Sequence, residues 1–333
     1  MLKRLTSLDR LLGLIKTLPP AQIAHAEHAL RDARRRAEAI IEIDAAAEAR
    51  ACPCCGGAHK ARHGRTRTGA QRWRCRGCGR TWSGLTGTPV AGVHRPDLLV
   101  ETLRDMLGGH PRSCRRLAKS LGVSHHTVWR WRMRVLGRLA GPAAPVFAGI
   151  VEADETFQRE SRKGSREWVR HLRDPARHPK PPRLRWRAYG RGGPPKMPGH
   201  SPWQMPLLGV ADRGGHASVA RLANTKHPTI AAALLPLVAP DAVLCTDGGA
   251  QYGVVARRAK LQHFVLYKGK RGPRTPPSHH INTVNGLHAG WKDYANRVWR
   301  GPATKNLAGY AAWFSALRTA KGDHLPALRR IIA

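Results

Sequence analysis

Acidic side chains are scarce in this sequence of 333 residues. It has 21 Asp and Glu against 58 Lys and Arg, which gives a formal net charge of +37. Such an excess of Lys and Arg indicates a polyanionic partner, because it is the electrostatic signature of nucleic-acid binding. The charge does not identify the fold. Because carboxylates are so few, however, their positions are informative about function.

Long apolar runs are also missing. The longest, around residues 230–239, has ten residues and contains Pro236, so it is far too short to span a bilayer. The N-terminal stretch is interrupted by Arg4, Asp9 and Arg10 and lacks the uncharged core of a secretory signal. We therefore expect a cytoplasmic protein with no membrane partner.

Apolar residues are still sufficient for folding. They make up 41% of the chain and include ten Trp, which excludes wholesale disorder. The length predicts two or three domains.

Four of the seven cysteines form two C-x-x-C motifs. Cys52 and Cys55 make the first, and Cys75 and Cys78 make the second after 19 intervening residues. Two such knuckles supply the four thiolates of a tetrahedral zinc site, and a segment with so few apolar residues needs metal to fold. A disulfide is the weaker alternative in a reducing cytosol. The pattern predicts a zinc ribbon over 51–86.

Helical patterns flank this ribbon. Residues 21–49 indicate one long helix rich in Ala, Glu and Arg, so 1–50 is predicted to be an N-terminal helical segment. After a connector, residues 96–108 begin with Pro and end with Gly, as a helix does.

Residues 113–139 are typical of a helix-turn-helix within a domain at 96–140. Gly122 permits the turn, Ser124 caps the second helix, and Leu117 and Val128 face the core. The second helix is expected to present to a DNA major groove the side chains of His125, His126, Thr127, Arg130, Arg132 and Arg134. An ordinary helical hairpin is the alternative.

The remainder predicts an α/β domain with a mixed sheet over 147–320. Short apolar strands alternate with Gly turns in FAGIVEADETF, PLLGVADRGG, HASVARL, DAVLCTDGG and QHFVLYK, and KHPTIAAALLPLV reads as a helix. Residues 170–202 hold nine Arg or Lys, one acid and eight Pro. Such a composition builds no core, so we expect an insertion on the surface or on DNA.

Two carboxylates end strands of this domain. Asp154 in VEADETF and Asp247 in TDGGAQY would enter a cleft, where hard oxygen ligands hold Mg²⁺. The alternative is that each pairs with one of the many Arg or caps a helix. No Glu follows Glu167, so the amide oxygen of Asn285 is a candidate third ligand. Lys305, near a helix start, is a candidate for offsetting phosphate charge.

The set of motifs resembles an insertion-sequence transposase of the DDE type. More narrowly it is similar to the ISXO-two-like branch, some members of which carry Asp, Asp, Asn and Lys (DDNK) at the active site. The resemblance rests on the ribbon, the helix-turn-helix and the segments VEADETF, TDGGAQY, HHINTVNGLH and GPATKNLAGY, and covers Cys52 to about Arg318. It implies an RNase H-like catalytic domain, divalent metal dependence and binding to terminal inverted repeats.

The resemblance also implies roles for individual residues. Asp154 and Asp247 are the two carboxylates, Asn285 stands where most DDE enzymes have Glu, and Lys305 is the trailing lysine. Two Mg²⁺ or Mn²⁺ ions held by the first three would activate water or a 3′-hydroxyl and stabilise the leaving oxygen. Lys305 would offset charge on the scissile phosphate or orient the strand.

The resulting hypothesis is end cleavage and strand transfer into target DNA. The partners would be double-stranded terminal repeats and target DNA, bound by at least a homodimer in the bacterial cytoplasm, at the nucleoid. Two alternatives are a zinc-ribbon and helix-turn-helix regulator without catalysis, and a nuclease of the same fold that cuts without joining.

Overall fold

The computed structural model describes residues 2–139, 146–180, 204–266, 277–320 and 323–332. The chain divides into two compact units. The first comprises residues 1–106, 110–135 and 323–333, and the second comprises 107–109 and 136–322. None of the helices in the described ranges combines the length and apolar character needed to cross a bilayer.

Two helices open the first unit, α1 (Leu2–Lys16) and α2 (Pro20–Glu48). Helix α2 confirms the helix predicted over 21–49, and it begins at a proline whose fixed φ suits the first helical turn. Its apolar stripe is buried at Ala39, Ile43 and Ala47.

The ribbon is a three-stranded antiparallel sheet. Its strands are β1 (Lys60–Arg65), β2 (Gln71–Cys75) and β3 (Thr81–Ser83), in the order β1-β2-β3. Trp73 and Trp82 are cross-strand partners with ring centroids 6.3 Å apart, and they form a small core with two of the cysteines.

Four more helices complete the first unit: α3 (Pro96–Leu107), α4 (Cys114–Leu121), α5 (His125–Leu139) and, at the far end of the chain, α11 (Leu325–Ile332). The predicted pair of helices over 113–139 is confirmed as α4 and α5. Helix α4 ends at Gly122, whose φ of +65° is a conformation that glycine adopts without strain. Ser124 Oγ accepts the backbone N–H of His126 at 3.2 Å and so caps α5.

The second unit is built on a mixed five-stranded sheet. Its strands are β4 (Ile150–Arg159), β5 (Gln204–Asp212), β6 (Ala217–Arg221), β7 (Val243–Thr246) and β8 (Gln262–Val265). Their order is β6-β5-β4-β7-β8, with antiparallel pairing from β6 to β4 and parallel pairing from β4 to β8. The predicted mixed sheet is therefore confirmed, strand by strand.

The described helices of this unit are α6 (Glu167–Arg173), α7 (His227–Leu234), α8 (Ala250–Ala259), α9 (Asn282–Asp293) and α10 (Leu307–Ala320). A π-helical turn (Tyr294–Val298) continues α9, and a 3₁₀ turn (Thr304–Asn306) precedes α10. The basic insertion predicted at 170–202 lies outside the described residues from 181 onward.

Strand β4 has two differently occupied faces, because successive side chains of a strand point to opposite sides. Val151 and Ala153 join the apolar core that also contains Tyr252 of α8. Glu152 and Asp154 lie on the other face, which α9 covers. This division directs one pair of carboxylates away from the core and towards α9.

Candidate functional site

The four paired cysteines converge at one point of the ribbon. Their sulfur atoms all lie within 4.8 Å of one another, with Cys52 Sγ 3.8 Å from Cys78 Sγ and Cys55 Sγ 3.6 Å from Cys75 Sγ. A tetrahedron with Zn–S bonds of about 2.3 Å requires sulfur separations of roughly 3.8 Å. The cluster therefore has the composition and spacing to hold a structural zinc ion.

The knuckle backbones favour the thiolate form that zinc needs. The N–H of Cys54 is the largest influence lowering the pKa of Cys52 to about 6, and the N–H of Cys78 likewise lowers the pKa of Cys75. Cys54 is exposed, outside the cluster.

One predicted catalytic aspartate, Asp154, lies within β4, and the other, Asp247, directly follows the neighbouring parallel strand β7. Glu152 of β4 pairs with Cys245 of β7, and the same register continued for two residues places Asp154 opposite Asp247. Neighbouring strands lie about 4.8 Å apart. Both aspartates are half-buried, and each accepts one local backbone N–H, from Glu155 at 2.8 Å and from Gly249 at 3.2 Å.

Electrostatic effects on Tyr252 also place these carboxylates close together. Burial raises the pKa of this phenol well above its usual value, and the charges of Glu155, Asp154 and Asp247 raise it further. Burial is also the largest cause of the raised pKa of Glu155, to which the charge of Asp247 adds. The charges of all three carboxylates therefore act on the Tyr252 phenol.

Asn285 lies on α9, which packs over the aspartate-bearing face of β4. Its side chain is exposed, and the buried stripe of the helix runs beside it through Val284, Leu287, His288 and Trp291. His288, one turn after Asn285, places Nδ1 3.7 Å from Asp154 Oδ2. Asn285 is therefore on the helix that contacts Asp154, one turn before that contact.

His288 is held neutral in this position. Burial, followed by the charge of Lys292, lowers the pKa of His288 to about 4. Its ring lies against Gly209 of β5, the residue that pairs with Asp154, and a Cβ at Gly209 would overlap the imidazole. The sheet is therefore shaped to admit this ring.

Lys305 is held at a different end of β4. Thr304 exchanges two hydrogen bonds with Ser161, of 2.9 and 2.8 Å, and Lys305 Nζ donates to the carbonyl of Gly164 at 3.3 Å. Ser161 follows the end of β4, and the strand from Asp154 to Arg159 alone spans about 17 Å. Lys305 is therefore anchored beyond the C-terminal end of β4, whereas Asp154 lies in the middle of that strand.

The two aspartates offer oxygen donors for a metal ion. Among the described residues, only the four cysteines bring three or more His, Cys, Asp or Glu ligand atoms within 4.8 Å of one another. Carboxylate and amide oxygens fit Mg²⁺, which is bound through one or two carboxylates together with waters and phosphate oxygens. Asp154, Asp247 and Asn285 supply donors of that class.

Most of the predicted DNA-facing side chains of α5 are accessible. His125, His126, Arg130 and Arg134 are exposed, and Thr127 is half-buried. Trp129, which the sequence did not single out, is also exposed.

The prediction for Arg132 is wrong. Its side chain is only 2% exposed and donates to Asp105 at 2.8 Å and to the carbonyl of Arg112 at 2.6 Å. The signal was present in the sequence, because Arg132 follows the buried Val128 by four residues and so shares its face of the helix. Arg132 is a structural ion-pair residue.

Three residues beside the aspartates escaped prediction. Glu152, Arg213 and His288 connect β4 to α9. Alternation along a strand places Glu152 on the same face as Asp154. The contacts of Glu152, Arg213 and His288 could not be predicted, because their partners come from distant segments of the chain.

Comparison with known proteins adds no assignment. No protein-family model matches this chain, and no curated protein matches it.

Proposed function

We propose that this protein is a DDE-type transposase that binds the ends of an insertion sequence, cleaves them and joins them to target DNA. One observation carries the proposal: Asp154 lies within β4 and Asp247 directly follows the adjacent parallel strand β7, at the position that the continued register places opposite Asp154, in a protein of net charge +37. Two convergent carboxylates in a chain this basic suit chemistry on a polyanion. The mixed sheet supports an RNase H-like domain, as the sequence resemblance implies.

Asp154 and Asp247 would hold divalent ions, with the amide oxygen of Asn285 completing the ligand set. Such ions supply Lewis-acid activation of an attacking oxygen and stabilise the leaving oxygen of a phosphodiester. The half-buried aspartates keep their carboxylates fixed through backbone N–H groups of Glu155 and Gly249. Fixed ligands lower the reorganisation needed when substrate arrives.

Lys305 is better suited to orienting DNA than to acting at the scissile phosphate. Its side chain is exposed and anchored beside Gly164, beyond the end of β4. A cation at that distance from Asp154 would contact a phosphate several nucleotides away from the reacting one. This favours the second of the two roles that the sequence suggested.

The helix pair α4 and α5 would recognise the terminal repeats. His125, His126, Arg130 and Arg134 present donors on the exposed side of α5, which suits base and phosphate contacts in a major groove. The ribbon, rich in exposed arginine, would add backbone contacts. Cleavage of two ends requires at least a dimer on DNA.

The test is end cleavage by carboxylate-to-amide variants. We expect Asp154→Asn and Asp247→Asn to abolish Mn²⁺-dependent nicking of terminal-repeat DNA while repeat binding stays within twofold of wild type. Asp293→Asn is the matched control, because this carboxylate is exposed on the same helix as Asn285 and pairs with Arg297 at 3.0 Å. It should cleave normally.

The outcomes separate the alternatives. Full cleavage by either aspartate variant would remove the catalytic assignment. Repeat binding without any metal-dependent nicking by the wild type would instead indicate a regulator. Nicking without strand-transfer products in a second plasmid would indicate a nuclease of the same fold.

A further inference from the structure

Glu152 is a fully buried carboxylate beside the aspartate site. It lies two residues before Asp154, on the same face of β4, and its side chain is 0% exposed. A buried charge is costly unless it is paired and hydrogen-bonded, so its partners reveal what it does.

One carboxylate oxygen of Glu152 receives the beginning of α9. Its Oε2 accepts the backbone N–H of Val284 at 2.8 Å. Val284 is the third residue of α9, so its N–H has no partner within the helix. A carboxylate at this end also interacts favourably with the helix dipole. Glu152 therefore fixes the first turn of α9 to β4.

The other oxygen receives Arg213, which secures the approach to the helix. Arg213 donates to Glu152 Oε1, to Thr283 Oγ1 at 2.6 Å and to the carbonyl of Ser278 at 3.0 Å. His280 Nδ1 lies 3.3 Å from the same carboxylate oxygen. The buried Glu152 carboxylate thus connects β4 to the loop before α9 and to the first turn of α9.

Asn285 lies between two attachments of α9 to β4. The first is Glu152 to Val284, the residue immediately before Asn285, and the second is His288 beside Asp154, one turn later. A helix attached to one strand at two points has little freedom to slide or rotate. The separation between Asn285 and Asp154 is therefore set by these contacts.

We propose that Glu152 is a positioning residue that sets Asn285 relative to Asp154 and so adjusts the affinity of the site for divalent metal. This inference rests on the proposed function of the site. Residues that orient metal ligands through such contacts typically change metal affinity or activity about 10- to 100-fold when replaced.

The experiment compares Glu152→Gln and Arg213→Gln with wild type. Val284 and Arg213 donate to different oxygens of Glu152. Glutamine replaces one of these oxygens with an NH₂ donor, so in Glu152→Gln one of the two groups faces a donor instead of an acceptor. Arg213 is about one-third exposed, and Arg213→Gln loosens the same cluster from its solvent side. Glu160→Gln is the control, because Glu160 is a half-buried carboxylate after β4 that pairs with Arg162.

Three measurements are made on the full, zinc-loaded chain: Mn²⁺ binding by electron paramagnetic resonance without DNA, hydrogen exchange of residues 282–286, and cleavage kinetics with kcat and KM separated. We expect both variants to bind Mn²⁺ about 10- to 100-fold more weakly and to exchange faster at the start of α9. Half-maximal cleavage should need correspondingly more Mn²⁺, with KM for DNA unchanged. The control should match wild type.

Unchanged Mn²⁺ affinity in both variants would overturn the positioning role, and so would an equal loss in Glu160→Gln. A merely structural role would lower the unfolding temperature without altering the Mn²⁺ affinity of the folded fraction. If Glu152→Gln fails to fold, Arg213→Gln decides the question alone. A wild type that binds Mn²⁺ without cleaving DNA would refute the proposed function, whereas the binding comparison would still decide the role of Glu152.

Discussion

The absence of a side chain at Gly209 determines where His288 can lie. The imidazole occupies the space that a Cβ at this strand position would need, and from there one ring nitrogen approaches Asp154. Glycine in the interior of a strand usually weakens it, so close approach of another group is the physical reason for it here.

We expect Gly209→Ala to destabilise the second unit by about 1–3 kcal/mol, because the added methyl group overpacks the contact with His288. Chemical denaturation measures the change. Gly253→Ala is the control, since Gly253 is in α8 with open space at its Cβ position, and alanine there should stabilise the helix by about 0.5–1 kcal/mol. Equal effects of the two substitutions would contradict the packing explanation.

Arg130 and Arg132 of α5 lie on different sides of the helix, one exposed and one buried. Arg132→Ala should lower stability by about 1–3 kcal/mol, because the buried Asp105 carboxylate loses one charged hydrogen-bond partner and keeps only its contacts with Arg112. Arg130→Ala, on the exposed side, should leave the unfolding temperature unchanged and weaken terminal-repeat binding by about 1–3 kcal/mol. Thermal unfolding and a DNA-binding titration distinguish them. A stable Arg132→Ala protein with weak DNA binding would restore the original interpretation.

At the scale of residues, the sequence indicated which side chains are candidates for function better than it indicated which groups surround them. Asp154 and Asp247 were identifiable because each follows a short apolar segment in a chain poor in acids. The prediction that Asp154 ends a strand is wrong, because β4 continues to Arg159, whereas Asp247 does follow the last residue of β7. The environment of Arg132 depends on Asp105, 27 residues away, and that of Glu152 on Val284, 132 residues away. Neither separation corresponds to a local periodicity, so neither partner could be predicted.

At the scale of elements, α2 and the ribbon support each other. Asp44 of α2 accepts the N–H of Gln71 at 3.0 Å, and the backbone at Gly84 approaches the side chains of Ile43 and Ala47. The ribbon has only a small aromatic core of its own, so its order depends on this helix and on the cysteine cluster.

Removing zinc should therefore disorder more than the cysteine knuckles. Treatment with a strong chelator, or Cys75→Ser, is expected to abolish the fixed environment of Trp73 and Trp82, because structural zinc contributes folding energy directly. Near-ultraviolet circular dichroism follows the tryptophans, and native mass spectrometry counts the metal. Cys54→Ser, at an exposed cysteine outside the cluster, should keep both signals. An unaltered tryptophan spectrum in the metal-free protein would exclude a structural ion.

Elements with strong local signals were predictable. Composition identified α2, and the Gly122 turn, the Ser124 cap and apolar periodicity identified α4 and α5. Short apolar runs between Gly turns identified all five strands of the second sheet. Helix α11 was missed because its place is set by contacts distant in sequence: His324, just before it, bonds Glu42 of α2 at 2.8 Å. Strand order was likewise not predictable, since pairing between β4 and β7 joins segments about 90 residues apart.

For the whole molecule, the net charge of +37 predicts how binding responds to salt. The plot of log affinity against log salt concentration should fall with a slope of about −0.9 for each phosphate contacted, and Arg134→Gln should flatten it by about one such unit. Fluorescence anisotropy across a salt series measures this. Non-repeat DNA of equal length should bind more weakly with a similar slope, because phosphate contacts carry no sequence information. A flat slope would contradict an electrostatic interface.

The hydrogen bond between Glu42 and His324 joins two residues of the first unit that are 282 positions apart. The entire second unit lies between them in the sequence. On a ribosome, the sheet that carries Asp154 emerges complete while the unit containing α4 and α5 still lacks its last helix. The unit proposed to cut DNA is thus synthesised before the unit proposed to bind DNA has all of its helices. The unit that contains α4 and α5 can therefore complete its fold only after residues 325–332 have been synthesised.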